Sequence, residues 1–378
     1  MLRMNMRNSL PHIPECRIFD RYILKETILP FFAGFFIFTF ILLMDNIFQL
    51  FDFLIGKKIG FIKVMGVLGY SLPFIVSLTI PMAILVAMIS AFGRMSGDSE
   101  IVALRSFGIN PMRITFYPLI FSVIIFLSLV LFNNTVLPQS NYKLKKLFVE
   151  ISKIRPTLNL HERIFNNIYS GYTLWAEKID QSRSLLLGVQ LTEELKNQPK
   201  RIIEAERATL STFNDTLLFY MENGEIHEFS AQDPLKYRVL TFQKYSLKIP
   251  IPESKRGRVS RTEREMNIRN LLQKAKVFKD KRIRYRFLVE VNKKFSIPFA
   301  AILFVFVGAP LGIGIKRGGI GAGVTISFFL FIIYYIFLVG GEEIADRGIL
   351  HPGLSIWIPN ILLLIAGIVI IRKAIYGK

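Results

Sequence analysis

The sequence predicts a membrane protein of six transmembrane α-helices, with a β-jelly-roll domain inserted between the third and fourth helices. Hydrophobic residues make up 52% of the 378 residues, and the mean hydropathy is +0.41, above what is usual for a soluble domain. Six apolar stretches reach the length of about 20 residues that a membrane-spanning helix needs. They lie near residues 28–54, 66–92, 112–137, 295–315, 320–341 and 354–371.

The spacing of these stretches divides the chain into three parts. Residues 1–139 hold spans one to three, together with a short connecting helix expected at 98–107. Residues 140–290 are much more polar and too long for a loop, so they are expected to form a domain of their own. Residues 291–378 hold spans four to six.

The basic residues of the short loops predict the orientation of the spans. Short loops rich in Lys and Arg stay in the cytoplasm, whereas large domains are translocated largely regardless of their charge. The basic residues expected on the cytoplasmic side are Arg3, Arg7, Arg17, Arg21, Lys25, Arg94, Arg105, Arg113, Lys316, Arg317, Arg372, Lys373 and Lys378. The short loops of the other side offer Lys57, Lys58, Lys63 and Arg347. We therefore expect both termini in the cytoplasm and residues 140–290 outside it.

The composition points away from an enzyme, a metalloprotein and a nucleic-acid-binding protein. The net charge is +20, but the cations lie outside long apolar runs, which favours a membrane surface over nucleic acid as the partner. Cys16 is the one cysteine and the four histidines are scattered, so neither a disulfide framework nor a metal site is expected. The pattern G-x-x-x-x-G-K-[ST] is missing, and His161-Glu162 starts an H-E-x-x-H pattern that fails at Phe165. We expect no catalytic residue, metal or cofactor.

The middle domain shows the patterns of β-strands. The stretch RIFNNIYSGYTLWAEKID alternates aromatic and polar residues, and similar strand-like runs continue to about residue 249. Ser170-Gly171 and Asn223-Gly224 are turn signals, the second typical of a hairpin. The aromatic residues Phe165, Tyr169, Tyr172 and Trp175 either fill a closed core or line an apolar slot for acyl chains. The pattern alone leaves both interpretations open.

The segment 254–286 is strongly basic and has few apolar residues. It is either a solvated helix that leads into span four or a helix that rests on anionic lipid headgroups. Asp45, Gln49 and Asp52, near the outer end of span one, share one helical face. Because carboxylates are costly in hydrocarbon, this face looks into a cavity or partner, or else the helix has already left the membrane.

The polar segment GRMSGDSEIVALRSFGINP, residues 93–111, separates spans two and three and predicts a short amphipathic helix. Ser96 or Asp98 is expected to cap its N-terminus, and Gly108 to follow its C-terminus. Ile101, Leu104 and Phe107 fall on roughly one face; Glu100 projects near that face and Arg105 lies elsewhere. Such a helix either lies passively at the membrane interface or docks a separate motor protein.

Short motifs along nearly the whole chain resemble the LptF/LptG (YjgP/YjgQ) family, the permease subunits of the lipopolysaccharide-export ABC transporter. The resemblance rests on the order and spacing of these fragments. They are RYILKE, LPFIVSLTIPMAIL, GRMSGDSEIVALRSFGIN, GYTLWAEKID, RIIEAERATL, MENGEI, NKKFSIPFAAILFVFVGAPLGIGIKRGGIGAG and HPGLSIWIPN.

The resemblance implies a permease of the bacterial inner membrane that works as a heterodimer with a paralogous subunit. It implies a pair of cytoplasmic ABC ATPases and a periplasmic lipid-bridge protein with a jelly-roll fold. The cargo would be lipopolysaccharide or another glycolipid, extracted from the outer leaflet. The alternative is an envelope scaffold without transport activity. A transporter should copurify with an ATPase, which a scaffold need not do.

The resemblance also assigns expected roles to residues of this chain. Helix 98–107 would dock in a groove of the ATPase, and its coupling residues would be Glu100, Leu104, Arg105 and Phe107. Lys57 and Lys58 match a basic pair of the family, whereas Gln49 stands where relatives can carry a basic residue. The expected substrate-contacting residues are Lys57, Lys58, Gln49, Phe165, Tyr172 and Trp175.

Overall fold

In sequence order, long helices come before and after six described β-strands. A computed structural model describes residues 16–51, 60–107, 111–154, 160–169, 171–180, 183–194, 200–213, 216–229, 237–250, 260–315 and 320–376. The helices are α1 (Cys16–Phe51), α2 (Phe61–Gly97), α3 (Glu100–Ser106), α4 (Pro111–Ile114), α5 (Phe116–Ile154), α6 (Ile268–Val277), α7 (Lys281–Gly314), α8 (Ile320–Asp346), α9 (Pro352–Ser355) and α10 (Ile358–Tyr376). The strands are β1 (Asn166–Tyr169), β2 (Tyr172–Asp180), β3 (Leu185–Glu193), β4 (Lys200–Phe213), β5 (Thr216–Phe229) and β6 (Tyr237–Pro250).

The prediction of six membrane-spanning helices around an inserted β domain is confirmed. Six stretches of the described chain are long and apolar enough to cross a bilayer. They are Arg21–Met44, Phe61–Gly97, Phe116–Ile151, Lys281–Gly314, Ile320–Asp346 and Pro352–Arg372. The second continues through Pro73 and Pro81 within a helix of 37 residues, about 55 Å long at 1.5 Å per residue.

The described residues form two compact units. The helical unit is drawn from residues 1–43, 73–139 and 263–378. The second unit is drawn from residues 44–72 and 140–262 and contains the β-sheet. Within the second unit, the start of α2 packs Val64 and Val67 against Ile151 of α5.

The core of the helical unit forms around α2, whose residues from Met82 to Met95 are almost all buried. Close packing at this helix requires small residues on its neighbours. A Cβ atom added to Gly312 of α7 would lie 2.8 Å from the carbonyl oxygen of Ile89. One added to Gly323 of α8 would collide with the hydroxyl of Ser90. Glycine therefore lets these helices approach α2 closely, as is common in membrane helix packing.

The β domain is one antiparallel sheet whose six described strands follow one another in sequence order. Alternate residues point to a buried face, as a period of two requires. Leu174 and Ala176 of β2, Ile203 of β4 and Phe219 of β5 belong to this core, with Ile249 of β6. The segment that precedes β1 lies beside the later part of β2, because Glu162 accepts a hydrogen bond from the amide of Ile179 (2.8 Å). The sheet ends at Pro250 of β6, which pairs with Thr216 of β5.

The two turn signals had different outcomes. At the first, Tyr169 of β1 pairs with Tyr172 of β2 and Gly171 has a positive φ of 89°, while Ser170 lies outside the described residues. The hairpin predicted at Asn223-Gly224 is wrong, because both residues lie inside β5. Gly224 is needed there because a Cβ atom would collide with the carbonyl oxygen of Glu204 on β4. The local distortion also places Asn223 at a positive φ of 51°.

Part of the basic segment 254–286 folds as α6 and the start of α7. Helix α6 is amphipathic and packs the buried residues Leu271 and Ala275 against Phe287 of α7. The amide of Ile268, its first residue, donates to Oδ1 of Asn134 on α5 (2.8 Å). Its basic residues face outward. Contact of that outer face with lipid headgroups stays a prediction, and residues 251–259 lie outside the described part.

Candidate functional site

The connection between α2 and α5 contains the short helix α3, which begins two residues later than the sequence predicts. Its N-cap is Ser99, in the left-handed region (φ 61°), with no side-chain capping hydrogen bond. The expectation that Ser96 or Asp98 caps the helix is wrong. The hydroxyl of Ser96 donates to the carbonyl oxygen of Ile313 (2.8 Å), and Asp98 is paired with Arg94. Gly108, expected to end the helix, lies outside the described residues.

The apolar residues of α3 do not share one environment. Ile101 is only 2% exposed, and Leu104 packs against the helical core. Burial of an isoleucine of this kind contributes about 1.5–3 kcal/mol, which fixes α3 to the bundle. Phe107 is 82% exposed and Val102 is 64% exposed. The structure thus separates Phe107 from Ile101 and Leu104 and adds Val102, which the sequence analysis did not single out.

A cluster of charged and polar residues surrounds the N-terminus of α3. We call Tyr22, Glu26, Arg94, Asp98 and Glu100 the Arg94 cluster. Nη2 of Arg94 lies 2.7 Å from Oε2 of Glu26 and donates to the hydroxyl of Tyr22 at 2.9 Å. Nη1 lies 3.0 Å from Oδ2 of Asp98 and 3.5 Å from Oε1 of Glu100. The Tyr22 hydroxyl donates in turn to Glu100, at 3.0 and 3.1 Å from its two carboxylate oxygens.

Local helix geometry explains where each of these residues lies within its own helix. Tyr22 and Glu26 are four residues apart on α1, so they share a face. Arg94 lies in the last turn of α2, where a cation complements the helix dipole. Glu100 lies in the first turn of α3, where an anion does the same. At neutral pH the cluster combines one cation with three carboxylates, a formal charge of −2, and its side chains are partly exposed.

The sequence patterns do not predict that Tyr22, Glu26 and Arg94 contact one another. The first two belong to the fragment RYILKE and Arg94 to the polar segment, yet 72 residues separate Tyr22 from Arg94. The i,i+4 spacing of Tyr22 with Glu26, and of Arg94 with Asp98, marks two polar faces. No local signal shows that these faces meet. Arg105, predicted as a coupling residue, is exposed in the last turn of α3.

The predicted lipid-contacting residues of span one cannot be placed at a site. Lys57, Lys58 and Asp52 lie outside the described residues. Gln49 and Asp45 belong to the backbone of α1, but their side chains are also outside the description. Contact of these residues with cargo therefore stays a prediction.

The three aromatic residues predicted to bind acyl chains lie in different environments. Phe165 is exposed ahead of β1. Tyr172 packs against the core of the sheet. Trp175 is half-buried and lies between Leu174 and Ala176 in β2, so it points to the opposite face. The structure does not bring Phe165, Tyr172 and Trp175 together on one surface.

Tyr172 instead belongs to a polar row across one end of the sheet. The strands align Tyr172 with Glu193, Glu193 with Arg201, and Arg201 with Glu228. The Tyr172 hydroxyl donates to Oε1 of the buried Glu193 (2.9 Å), and Nη2 of Arg201 lies 3.0 Å from Oε1 of Glu228. Burial, aided by Glu193, raises the pKa of Tyr172 to about 12. The hydrogen bond to Glu228 raises the pKa of Arg201.

Another polar group joins α5, α7 and α8 within the helical unit. Nζ of Lys293 lies 3.1 Å from Glu290 and 3.0 Å from Glu342. Lys294 is buried, and its Nζ donates to the carbonyl oxygen of Asn133 (2.6 Å). Charged residues in spanning helices usually pair with an opposite charge or with a backbone carbonyl, as these two lysines do. Among the described residues, no group of three His, Cys, Asp or Glu side chains is arranged to hold a metal ion.

Comparison with known proteins gives one family. A family model described as lipopolysaccharide export system permease LptF/LptG matches residues 21–373. That range contains every described span, the β-sheet, α3 and the Arg94 cluster. No curated protein matches the chain.

Proposed function

The chain belongs to the LptF/LptG family of lipopolysaccharide export system permeases, and from this premise we propose that it moves lipid as one half of an ABC transporter. In this proposal it extracts lipopolysaccharide or a related glycolipid from the inner membrane. It pairs with a paralogous permease, receives work from a cytoplasmic ATPase dimer and passes the lipid to a periplasmic bridge protein. The six spans and the inserted β domain support this assignment to a multi-pass permease.

We place both termini, α3 and the Arg94 cluster on the cytoplasmic side, and the β domain in the periplasm. The excess of Lys and Arg in the loops of that side supports this orientation. The ATPase would then meet the α2–α5 connection, which contains α3.

The exposed Phe107 is the observation that carries the proposal of a motor-docking helix. A phenylalanine that is 82% exposed at the end of a helix is suited to fill a pocket in a partner. Ile101 and Leu104 hold the other face of α3 against the bundle, so force applied to α3 reaches the spans. Val102 and Arg105 extend the outward surface. Buried aromatic anchors commonly dominate binding energy at interfaces.

The test is retention of the ATPase by the purified permease heterodimer. Phe107→Ala should weaken association by about 2 kcal/mol, or roughly thirtyfold, because the loss is that of burying one large apolar side chain. Ile349→Ala is the matched control, since Ile349 is also exposed (71%) but lies between α8 and α9. Unchanged ATPase retention by a Val102→Ala, Phe107→Ala double variant would contradict docking at α3.

Copurification separates the transporter from the envelope scaffold. The transporter predicts an ATPase in the purified complex and bound lipid that mass spectrometry identifies as lipopolysaccharide or another glycolipid. A chain purified from its own membranes with neither would support the scaffold instead.

A further inference from the structure

We propose that Arg94 is a positioning residue that links the motor-docking helix α3 to span one, so that movement of α3 is passed directly to α1. This inference rests on the proposed function, because it assumes that an ATPase acts on α3. Movement of α3 reaches the spans through the covalent chain to α2 and α5, and the contacts of Arg94 add a second route to α1. This inference also assigns Tyr22 and Glu26 to the transmission.

The guanidinium of Arg94 serves two helices with its two terminal nitrogens. Nη2 faces α1, with Glu26 at 2.7 Å and Tyr22 at 2.9 Å. Nη1 faces the start of α3, with Asp98 at 3.0 Å and Glu100 at 3.5 Å. The planar, rigid fork of arginine allows this double engagement, which the single ammonium of lysine does not reproduce. Arg94 therefore bridges α1 and α3 from its place at the end of α2.

The Tyr22 hydroxyl closes the bridge into a ring. It accepts from Arg94 and donates to Glu100, so α1 contacts the first residue of α3 through a hydrogen bond as well as through the arginine. Glu100 is thus already bonded within the chain. A basic group of the ATPase that binds Glu100 would pull on a carboxylate already connected to α1.

The link acts on a helix that packs against the bundle on one face only. Ile23, Phe31 and Phe38 of α1 belong to the core around α2, whereas Phe32, Phe36 and Phe40 are 51%, 65% and 64% exposed. Movement of α1 therefore also moves side chains of that core, and the polar contacts at its end connect this movement to α3.

The experiment uses the complete complex of both permeases and the ATPase, in liposomes with lipopolysaccharide as the probe lipid. The measured quantity is lipid released per ATP hydrolysed. Glu26→Gln removes the charge on the α1 side of Arg94 and should lower this ratio about tenfold, within the usual range of coupling between sites. Glu343→Gln, which breaks the exposed Glu343–Arg347 pair, should behave as the parent.

A second measurement follows the movement itself. In a Cys16→Ser background, spin labels are placed at Lys25→Cys on α1 and at Ser106→Cys on α3, each paired with Arg372→Cys on α10. In the parent complex, ATP should change both distances. With Glu26→Gln, the distance from α3 should still change and the distance from α1 should change by less than half as much. Dependence of the α1 distance on Glu26 is a result that a merely structural role would not give.

The outcomes separate this inference from the proposed function. A parent complex without an ATPase or without ATP-dependent lipid release overturns both. A parent that transports lipid, together with a Glu26→Gln complex that keeps the full ratio and the full α1 movement, overturns the link alone. If Glu26→Gln does not assemble, Tyr22→Phe replaces it and the same criterion applies, because that change removes only one hydroxyl.

Discussion

The ion pairs of the Arg94 cluster contribute more to the arrangement of α1 and α3 than to the free energy of unfolding. The side chains of Arg94, Glu26 and Glu100 are 39%, 30% and 30% exposed, and ion pairs of this exposure contribute about 0–1 kcal/mol each. Loss of one such pair leaves the fold intact. They matter because they orient α1 and α3 relative to each other, since one guanidinium contacts groups on both helices.

Tyr172 illustrates a residue whose main effect is on stability. Tyr172→Phe should destabilise the purified chain by about 1–3 kcal/mol, because the buried carboxylate of Glu193 loses its hydrogen-bond donor. Trp175→Phe is the control, since it changes an aromatic residue on the opposite face of β2. Equal denaturation midpoints for Tyr172→Phe and the parent would contradict this role.

The raised pKa of Tyr172 gives a further prediction about pH. The pKa is about 12 in the folded chain against 10.0 for an unperturbed tyrosine. The neutral hydroxyl therefore stabilises the fold fully below pH 10.0, and this contribution is lost as the pH rises towards about 12. Unfolding midpoints measured between these values should fall more steeply for the parent than for Tyr172→Phe. Parallel curves would show that another group controls the alkaline limb.

Lys57 and Lys58 give a residue-scale prediction about cargo. If they hold an anionic headgroup, a Lys57→Glu, Lys58→Glu variant should copurify with less lipid and transport less, because it replaces attraction to phosphate by repulsion. The lipid occupancy of the parent should fall towards that of the variant at high salt, which screens exposed charges. Lys63→Glu is the control. Unchanged lipid occupancy would leave the two lysines as membrane anchors that snorkel to the interface.

At the scale of elements, the sequence predicts long structures better than short ones. The six spans follow from apolar length alone, and strand alternation identifies the β domain. No hairpin forms at Asn223-Gly224. Glycine is needed at position 224 because the backbone of the neighbouring strand β4 lies too close for a side chain, not because the chain turns there. The caps predicted for α3 fail because Ser96 and Asp98 bind Ile313 and Arg94 instead. In each case a partner distant in sequence determines the role of the residue.

Helix α6 offers an element-scale prediction with a matched pair of neighbours. Leu271 is fully buried against α7, whereas Leu272 is 41% exposed. Leu271→Ala should cost about 2–5 kcal/mol through loss of burial and creation of a cavity. Leu272→Ala should change stability by less than about 0.5 kcal/mol, as exposed substitutions usually do. Faster hydrogen exchange of α6 in the first variant alone checks this packing; equal exchange in both would contradict it.

For the whole molecule, hydropathy predicts the order of spans and β domain but not the Arg94 cluster. The cluster joins positions 72 and 78 residues apart, and no periodicity within either segment encodes that meeting. The predicted acyl-chain surface of Phe165, Tyr172 and Trp175 fails for a different, local reason. Tyr172 and Trp175 are three positions apart in β2, and side chains that alternate with a period of two then point to opposite faces.

Orientation is the whole-molecule property on which the proposed motor docking depends. In a Cys16→Ser background, a cysteine in the β domain should react with a membrane-impermeant thiol reagent from the periplasm, and Ser106→Cys on α3 only after permeabilisation. Glu222→Cys suits the first test because Glu222 is exposed. Neighbouring Gly224 does not, since any Cβ atom there strikes the backbone of β4. Labelling of Glu222→Cys only from the cytoplasm would show that the orientation is the reverse of the one proposed. An ATPase could then no longer reach Phe107, and the Arg94 link to α1 would have no motor to serve.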